Sequence, residues 1–195
     1  MNKKWLIIGA IVVILLIWVG YSYNSLIRLD QNVKGKWADV QGTYQRRADL
    51  IPNLVNTVKG AANFEQSTLT AVTEARAKAT SVQIDPDNLD AESIAKFQAA
   101  QGEVTSALSR LLVSVEAYPQ LTATENFRQL QSEIEGTENR IQVARRDFNA
   151  AVQNFNVRRH VFPTIVIANI FGFDDKGYFE ADSGAQTAPD VNFEQ

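Results

Sequence analysis

From Trp5 to Tyr21 the chain carries no charge, and its nearest charged residues are Lys3 and Lys4 on one side and Arg28 on the other. Only Gly9, Ala10 and Gly20 in this run are weakly apolar. A helix rising 1.5 Å per residue needs about 20 residues to cross the hydrocarbon core of a bilayer. Trp5 to Leu26 supplies that length. Trp5 stands at one edge, and Trp18, Tyr21 and Tyr23 cluster at the other, where aromatic rings prefer the headgroup level. A cleaved signal peptide would have a shorter apolar stretch and a small-x-small cleavage site. Here the run ends Trp18-Val-Gly-Tyr-Ser-Tyr-Asn24. A buried core helix of this length with no polar face would be unusual. Residues 5–25 are therefore read as an uncleaved transmembrane anchor behind a short tail, residues 1–4. Lys3 and Lys4 favour a cytoplasmic tail, with the remainder of the chain outside. Arg28, Lys34 and Lys36 nearly match them on the other flank, so the orientation rests on a small difference.

About 170 residues follow the anchor, enough for one domain with a proper core. Glycine and proline are scarce, and long stretches are rich in Ala, Gln, Glu, Leu and Arg, a balance that favours helix. The net charge of -3 argues against a nucleic-acid binder, which would carry a basic surplus. With no cysteine, disulfides, thiol nucleophiles and cysteine-containing metal sites are excluded. The single histidine, His160, excludes most catalytic triads and most zinc sites.

Apolar residues then recur in steps of three and four. The first soluble helix continues from the anchor through Leu26, Leu29, Val33, Trp37, Val40, Tyr44, Ile51, Leu54 and Val58, with Arg47 the polar interruption. Trp37 and Tyr44 lie on this stripe and read as packing residues. Pro52 is expected to kink or break this helix, and Gly60 to end it. Asn63 with Gln66 resembles a capping box for a second, alanine-rich helix running to Val82. Asp85-Pro-Asp-Asn-Leu-Asp90 is a loop, with Asp90 the N-cap of a third helix carrying Ile94, Phe97, Val104, Leu108, Leu111, Val115 and Tyr118. Gln101 interrupts that stripe, and Pro119 stops the helix. Thr122 and Glu125 form a Thr-x-x-Glu box opening a fourth helix, Phe127 to Phe155, which should end near Arg158. The only segment that reads as a strand is Val161 to Phe173, too short to span a bilayer and expected to pack across the end of the helices. The polar stretch from Glu180 to Gln195 reads as disordered. Amphipathic helices with short loops bury their stripes most simply as a bundle. The expected fold is all-α: an antiparallel up-and-down four-helix bundle over residues 26–173, with an N-terminal transmembrane helix and a flexible tail, residues 174–195.

Arg47-Ala-Asp-Leu-Ile-Pro-Asn-Leu-Val55 resembles the signature of the LemA family. So do Glu74-Ala-Arg-Ala77, Arg110-Leu-Leu112, Glu116-Ala-Tyr-Pro119, Phe127-Arg-Gln-Leu130, Glu135-Gly-Thr-Glu-Asn-Arg140 and Ala144-Arg-Arg-Asp-Phe-Asn149. The resemblance runs from the anchor through Phe173. It implies a bacterial, single-pass, membrane-attached four-helix bundle of poorly defined function. It also implies association with other membrane or envelope proteins, including a membrane zinc metalloprotease in some lineages. It assigns no catalytic residues.

The residues singled out for a site are Arg47, Asp49, Asn53, Glu116, Glu138, Arg140 and Asn149. A guanidinium on an apolar stripe needs carboxylate or carbonyl partners if it is buried, and Asp49, Glu116 and Glu138 are the candidates. One reading is a structural network that fixes helix register. The other is a small-ligand or peptide sensor, or a hydrolase, built around Arg47, Asp49 and Glu116. No nucleophile accompanies the cluster, and a di-iron bundle would need Glu-x-x-His pairs that a lone histidine does not supply. His160, beside Arg158 and Arg159, reads as a basic cluster favoured by a helix C-terminus, or as a contact to anionic lipid. No phosphate loop or dinucleotide fingerprint occurs. The expectation is an interaction or scaffold module at the cell envelope, not an enzyme and without cofactor, whose partners are the lipid bilayer and other membrane or envelope proteins. Oligomeric state is left open.

Overall fold

The expected anchor and the expected first soluble helix form a single element. A computed structural model, which describes residues 3–60 and 64–181, places six helices in chain order. They are α1 (Lys3–Lys59), α2 (Gln66–Ser81), α3 (Ala91–Val115), the single turn α4 (Pro119–Thr122), α5 (Glu125–His160) and α6 (Thr164–Phe171). The 57 residues of α1 extend roughly 85 Å. Up to Ile17 every side of it is exposed, and its first partly buried residues are Trp18 and Val19. This free-standing stretch is long and apolar enough to cross a membrane.

Beyond it, α1 buries Leu26, Val33, Trp37, Val40, Tyr44, Arg47, Ile51, Leu54 and Val58, the stripe expected from the spacing. Leu29 is only half-buried at its margin. α5 lies antiparallel along this stripe: Lys36 faces Asp147, Trp37 faces Phe148 and Arg47 faces Glu138. α2 and α3 are likewise antiparallel, with Lys78 on Glu103 and Ala71 beside Arg110. Two apolar clusters result. The one nearer the anchor gathers Leu26, Trp37, Phe97, Phe148, Phe155 and Ile167. The distal one gathers Ile51, Leu54, Val72, Leu108, Leu111, Phe127 and Ile134. Burying one such side chain contributes about 1.5–3 kcal/mol, so these seams hold the helices together.

Four local expectations change. Pro52 does not break α1, which stays helical to Lys59. The helix cap falls on Thr124, whose hydroxyl accepts from the Phe127 amide, while Thr122 lies in α4 and donates to the Pro119 carbonyl. The Thr-x-x-Glu pattern was the wrong one of two threonines two residues apart. Within 161–173 the residues of α6, Thr164–Phe171, form helix, not strand: Pro163 precedes α6, and Gly172 follows it with φ 71°, the left-handed conformation that ends helices. Lastly, the tail expected from residue 174 is packed as far as Glu180. Asn156 and Asn149 each clasp its backbone from both sides, pairing with N–H and C=O of Lys176 and Phe179 respectively. Phe179 is buried against Trp37, Phe97 and Phe148. The expectation for Asn63 lies outside the described residues, as does that for the tail beyond Ala181.

Asp90 caps α3 as expected, accepting from the Ser93 amide at 2.7 Å. That bond holds its carboxyl below the ordinary aspartate range. α3 itself ends at Val115, and a turn through Glu116 and Tyr118 leads to Pro119.

Candidate functional site

Arg47 stands where the two apolar clusters meet, and only 2% of it is exposed. A guanidinium there must spend its donors on protein. Its Nη1 donates to Thr105 Oγ1 at 2.9 Å and to Glu138 Oε1 at 2.7 Å. Its Nη2 donates to the Gln101 carbonyl at 3.1 Å and to Gln101 Oε1 at 2.7 Å. Its Cζ lies 5.0 Å from the Tyr44 ring centroid, within cation–π range. One side chain of α1 thus ties α3 and α5 together. Glu138 is 33% exposed, so the pair is dry on one side and hydrated on the other.

A second arginine does comparable work on the backbone. Pro52 has no N–H, so the carbonyl four residues earlier, that of Ala48, loses its intrahelical donor. Arg76, on α2, donates from Nε to that oxygen at 2.6 Å. The motif residue Arg76 therefore satisfies the acceptor that the motif residue Pro52 orphans, and α2 is pinned to α1 at that turn.

The other expected site residues do not converge on Arg47. Asp49 is exposed and accepts from Gln45. Asn53 is exposed, and its carbonyl accepts from Thr57. Glu116 is exposed just beyond the end of α3, eleven residues or about 16 Å along from Thr105. Arg140 is exposed and donates to Thr137 Oγ1. Asn149 serves the C-terminal strap. Of the three carboxylates proposed as partners, Glu138 alone is the one that reaches Arg47; Asp49 and Glu116 are not. Arg47 is buried, and the expected cluster of Arg47, Asp49 and Glu116 is not brought together.

Sequence reasoning missed Gln101 and Thr105 as partners, although Gln101 was visible as the polar break in the α3 stripe. It also missed Arg76, Phe179 and Gly177. A Cβ on Gly177 would lie 2.6 Å from the Ala91 Cα, and its amide donates to the Leu89 carbonyl at 2.8 Å. The strap there runs too close to α3 for any side chain.

Beside Arg47 a cleft of about 270 Å³ opens between α1, α2 and α3. Tyr44, Ile84 and Phe97 give it apolar walls, Arg76 and the Glu138-paired Arg47 border it, and no carboxylate lines it among the described residues. Nearer the anchor, Asp30 is buried between Lys34 at 2.9 Å and Lys176 at 3.2 Å. The hydrogen bonds that Lys34 donates to Asp87 and Asp30 hold its ammonium above the usual lysine range, and Lys34 lowers the Asp87 carboxyl in turn. His160 contacts Asp175 at 2.9 Å, and Arg159 reaches the same carboxylate at 3.2 Å. Among the described residues, no three His, Asp or Glu side chains come together as metal ligands.

The sequence profile of the LemA family matches residues 36–193. Magnetosome protein MamQ 2 of Paramagnetospirillum magneticum is 24% identical, over 85% of this chain and 67% of its own length. Magnetosome protein MamQ of Magnetospirillum gryphiswaldense has the same identity and coverage. Protein LemA of Metamycoplasma hominis is 24% identical, over 81% of this chain and 68% of its own.

Proposed function

The chain belongs to the LemA family, and from that premise we propose that it is a membrane-tethered interaction module of the bacterial cell envelope. Residues 5–25 cross the inner or plasma membrane once, with the N-terminus in the cytoplasm. The four long helices form an up-and-down antiparallel bundle on the other side, offering faces to membrane or envelope proteins, a membrane zinc metalloprotease among the candidates. In this reading the protein is not an enzyme. The observation that carries it is the continuity of α1, free of packing to Ile17 and buried among helices from Leu26 onward. A helix without a joint holds the body at a fixed height and angle to the bilayer. The polar residues that carry the family resemblance support the same reading, because Arg47, Arg76 and Asn149 face other helices or backbone.

Photo-crosslinking in the native membrane tests it. Probes at Val143 and Val157, both exposed on α5, should yield the same discrete adduct to a membrane or envelope protein in repeated experiments. Probes that give no reproducible adduct from any face would remove the support for this role. Protease access in intact against permeabilised cells tests the orientation.

A second reading rests on the cleft beside Arg47. Arg76 in its lining, with no carboxylate among the described residues there, suits a carboxylate-bearing small ligand or peptide end, which would make the protein a sensor. Arg76→Gln should then weaken binding of acidic peptides in calorimetry while the variant still unfolds cooperatively. Equal binding by variant and parent chain excludes it.

A further inference from the structure

α6 sits at the depth where α1 is still free of charge. The rings of Phe171 and Phe173 lie 4.8 and 5.8 Å from Tyr23. Ile167 and Ala168 are buried in the cluster that includes Leu26 and packs on Trp18 and Val19. The hydrocarbon core takes about 20 helical residues, so a core that starts at Trp5 ends near residue 24, before the first charge at Arg28. The face of α1 that α6 covers therefore falls in the last turns inside the bilayer, and a helix lying against that face shares its depth.

The outward side of α6 agrees. Phe162 is 79% exposed and Ile170 70%, with Val166 and Phe171 exposed beside them. No charge occurs from Val161 to Phe173. Charges return on both flanks, where Arg159 and His160 meet Asp175. An uncharged helix this short cannot span a bilayer, but it can lie in one leaflet with its polar ends at the headgroups.

We propose that α6, with Phe162, is embedded in the membrane leaflet next to the bundle, as a second lipid contact beside the anchor. This rests on the reading of residues 5–25 as membrane-spanning. The occupant of the exposed face is lipid, because the surface is continuous with the anchor.

The absence of cysteine in the chain allows a clean test. Single cysteines at Leu15, Phe162, Ile170 and Val113, all exposed, are given nitroxide labels in the full-length protein, in vesicles of phosphatidylcholine and phosphatidylglycerol. Collision with oxygen, which concentrates in lipid, is compared with collision with a water-soluble nickel complex. Labels at Phe162 and Ile170 should favour oxygen as Leu15 does, the reverse of Val113. If Leu15 favours oxygen and both α6 labels behave like Val113, the proposal fails and the anchor stands. If the α6 labels are shielded from both reagents, protein covers the face, a second copy or another chain, and the proposal also fails. A water-exposed label at Leu15 would overturn the anchor and the proposal together. Because both α6 positions are surface residues, two independent labels guard against one misfolded variant.

Discussion

Removing Pro52 should make Arg76 less important to stability. With proline present, the Ala48 carbonyl has no donor from position 52, and Arg76 Nε supplies one at 2.6 Å. A hydrogen bond to a charged group contributes about 1.5–3 kcal/mol. Arg76 is only partly buried, so the low end applies. Arg76→Met keeps length and helix propensity and should cost about 1.5 kcal/mol. In a Pro52→Ala background the residue 52 amide returns to the Ala48 carbonyl, and the same Arg76→Met change should cost about 0.5 kcal/mol, the value of packing alone. The difference of about 1 kcal/mol exceeds the roughly 0.3–0.5 kcal/mol scatter of independent sites. It corresponds to about 2–4 °C in Tm for a chain of this size. Urea unfolding of the four full-length proteins in detergent, followed by circular dichroism, measures the cycle. Pro52→Ala alone should stabilise α1, since an interior proline costs about 3 kcal/mol against alanine. Equal costs of Arg76→Met in both backgrounds would refute the reasoning, because the carbonyl would then not be what Arg76 serves.

Other consequences follow from the same contacts. Arg47→Lys keeps the charge but loses the fork that reaches Gln101 and Glu138 together; urea unfolding should show a loss of about 2–3 kcal/mol, less than for a fully buried pair because Glu138 stays hydrated on one side. Asn149→Ala and Gly177→Ala should each speed hydrogen exchange of residues 174–181, the first by removing both clasps on Phe179 and the second by forcing the strap off Ala91; protection equal to the parent chain in both would exclude the strap. Thr124→Ala should cost about 0.5–1 kcal/mol of thermal stability as a lost cap, whereas Thr122→Ala should cost less. Asp87 and Asp90 have carboxyls depressed in the folded state, so their contribution is complete above the ordinary aspartate value of 3.8 and disappears as pH falls through the lower folded value. Asp90→Asn should therefore flatten the acid limb of a stability–pH curve, and an unchanged limb would contradict the assignment.

How far the fold could be read from residues alone depended on which physical signal each element carried. The stripes of α1 and α5 were legible because steps of three and four survive over long helices, and Asp90 was legible because its cap is local. α6 was not, since Ile and Val favour strands on average and eight residues are too few for a period to show. The strap was hidden for a different reason. Asp174 to Glu180 has the composition of a loop, and what orders it is distant: Asn149 and Asn156 on α5, Gln98 on α3, and an aromatic recess waiting for Phe179. For the candidate site, a guanidinium on an apolar stripe announced that partners exist but not which ones. Register between helices selects Glu138 over Glu116, and register is a tertiary property; Asp49, two residues from Arg47 on α1 itself, points to another side of that helix.

That register has a consequence for the membrane. An apolar seam of threes and fours between α1 and α5 tolerates sliding by one turn, because each new facing residue is again apolar. Arg47 removes this freedom. A slip of one turn, about 5.4 Å, would carry the guanidinium away from Glu138 and leave a buried charge without its partner, at a cost of about 3–5 kcal/mol. Arg76 on the Ala48 carbonyl fixes α2 in the same way, and the Lys176–Asp30 pair fixes the strap. Because α1 runs unbroken from its free apolar stretch through all three ties, each one sets height as well as packing. The polar groups buried in the bundle determine the level at which α6 meets Trp18 to Leu26, and so how deep its apolar face lies.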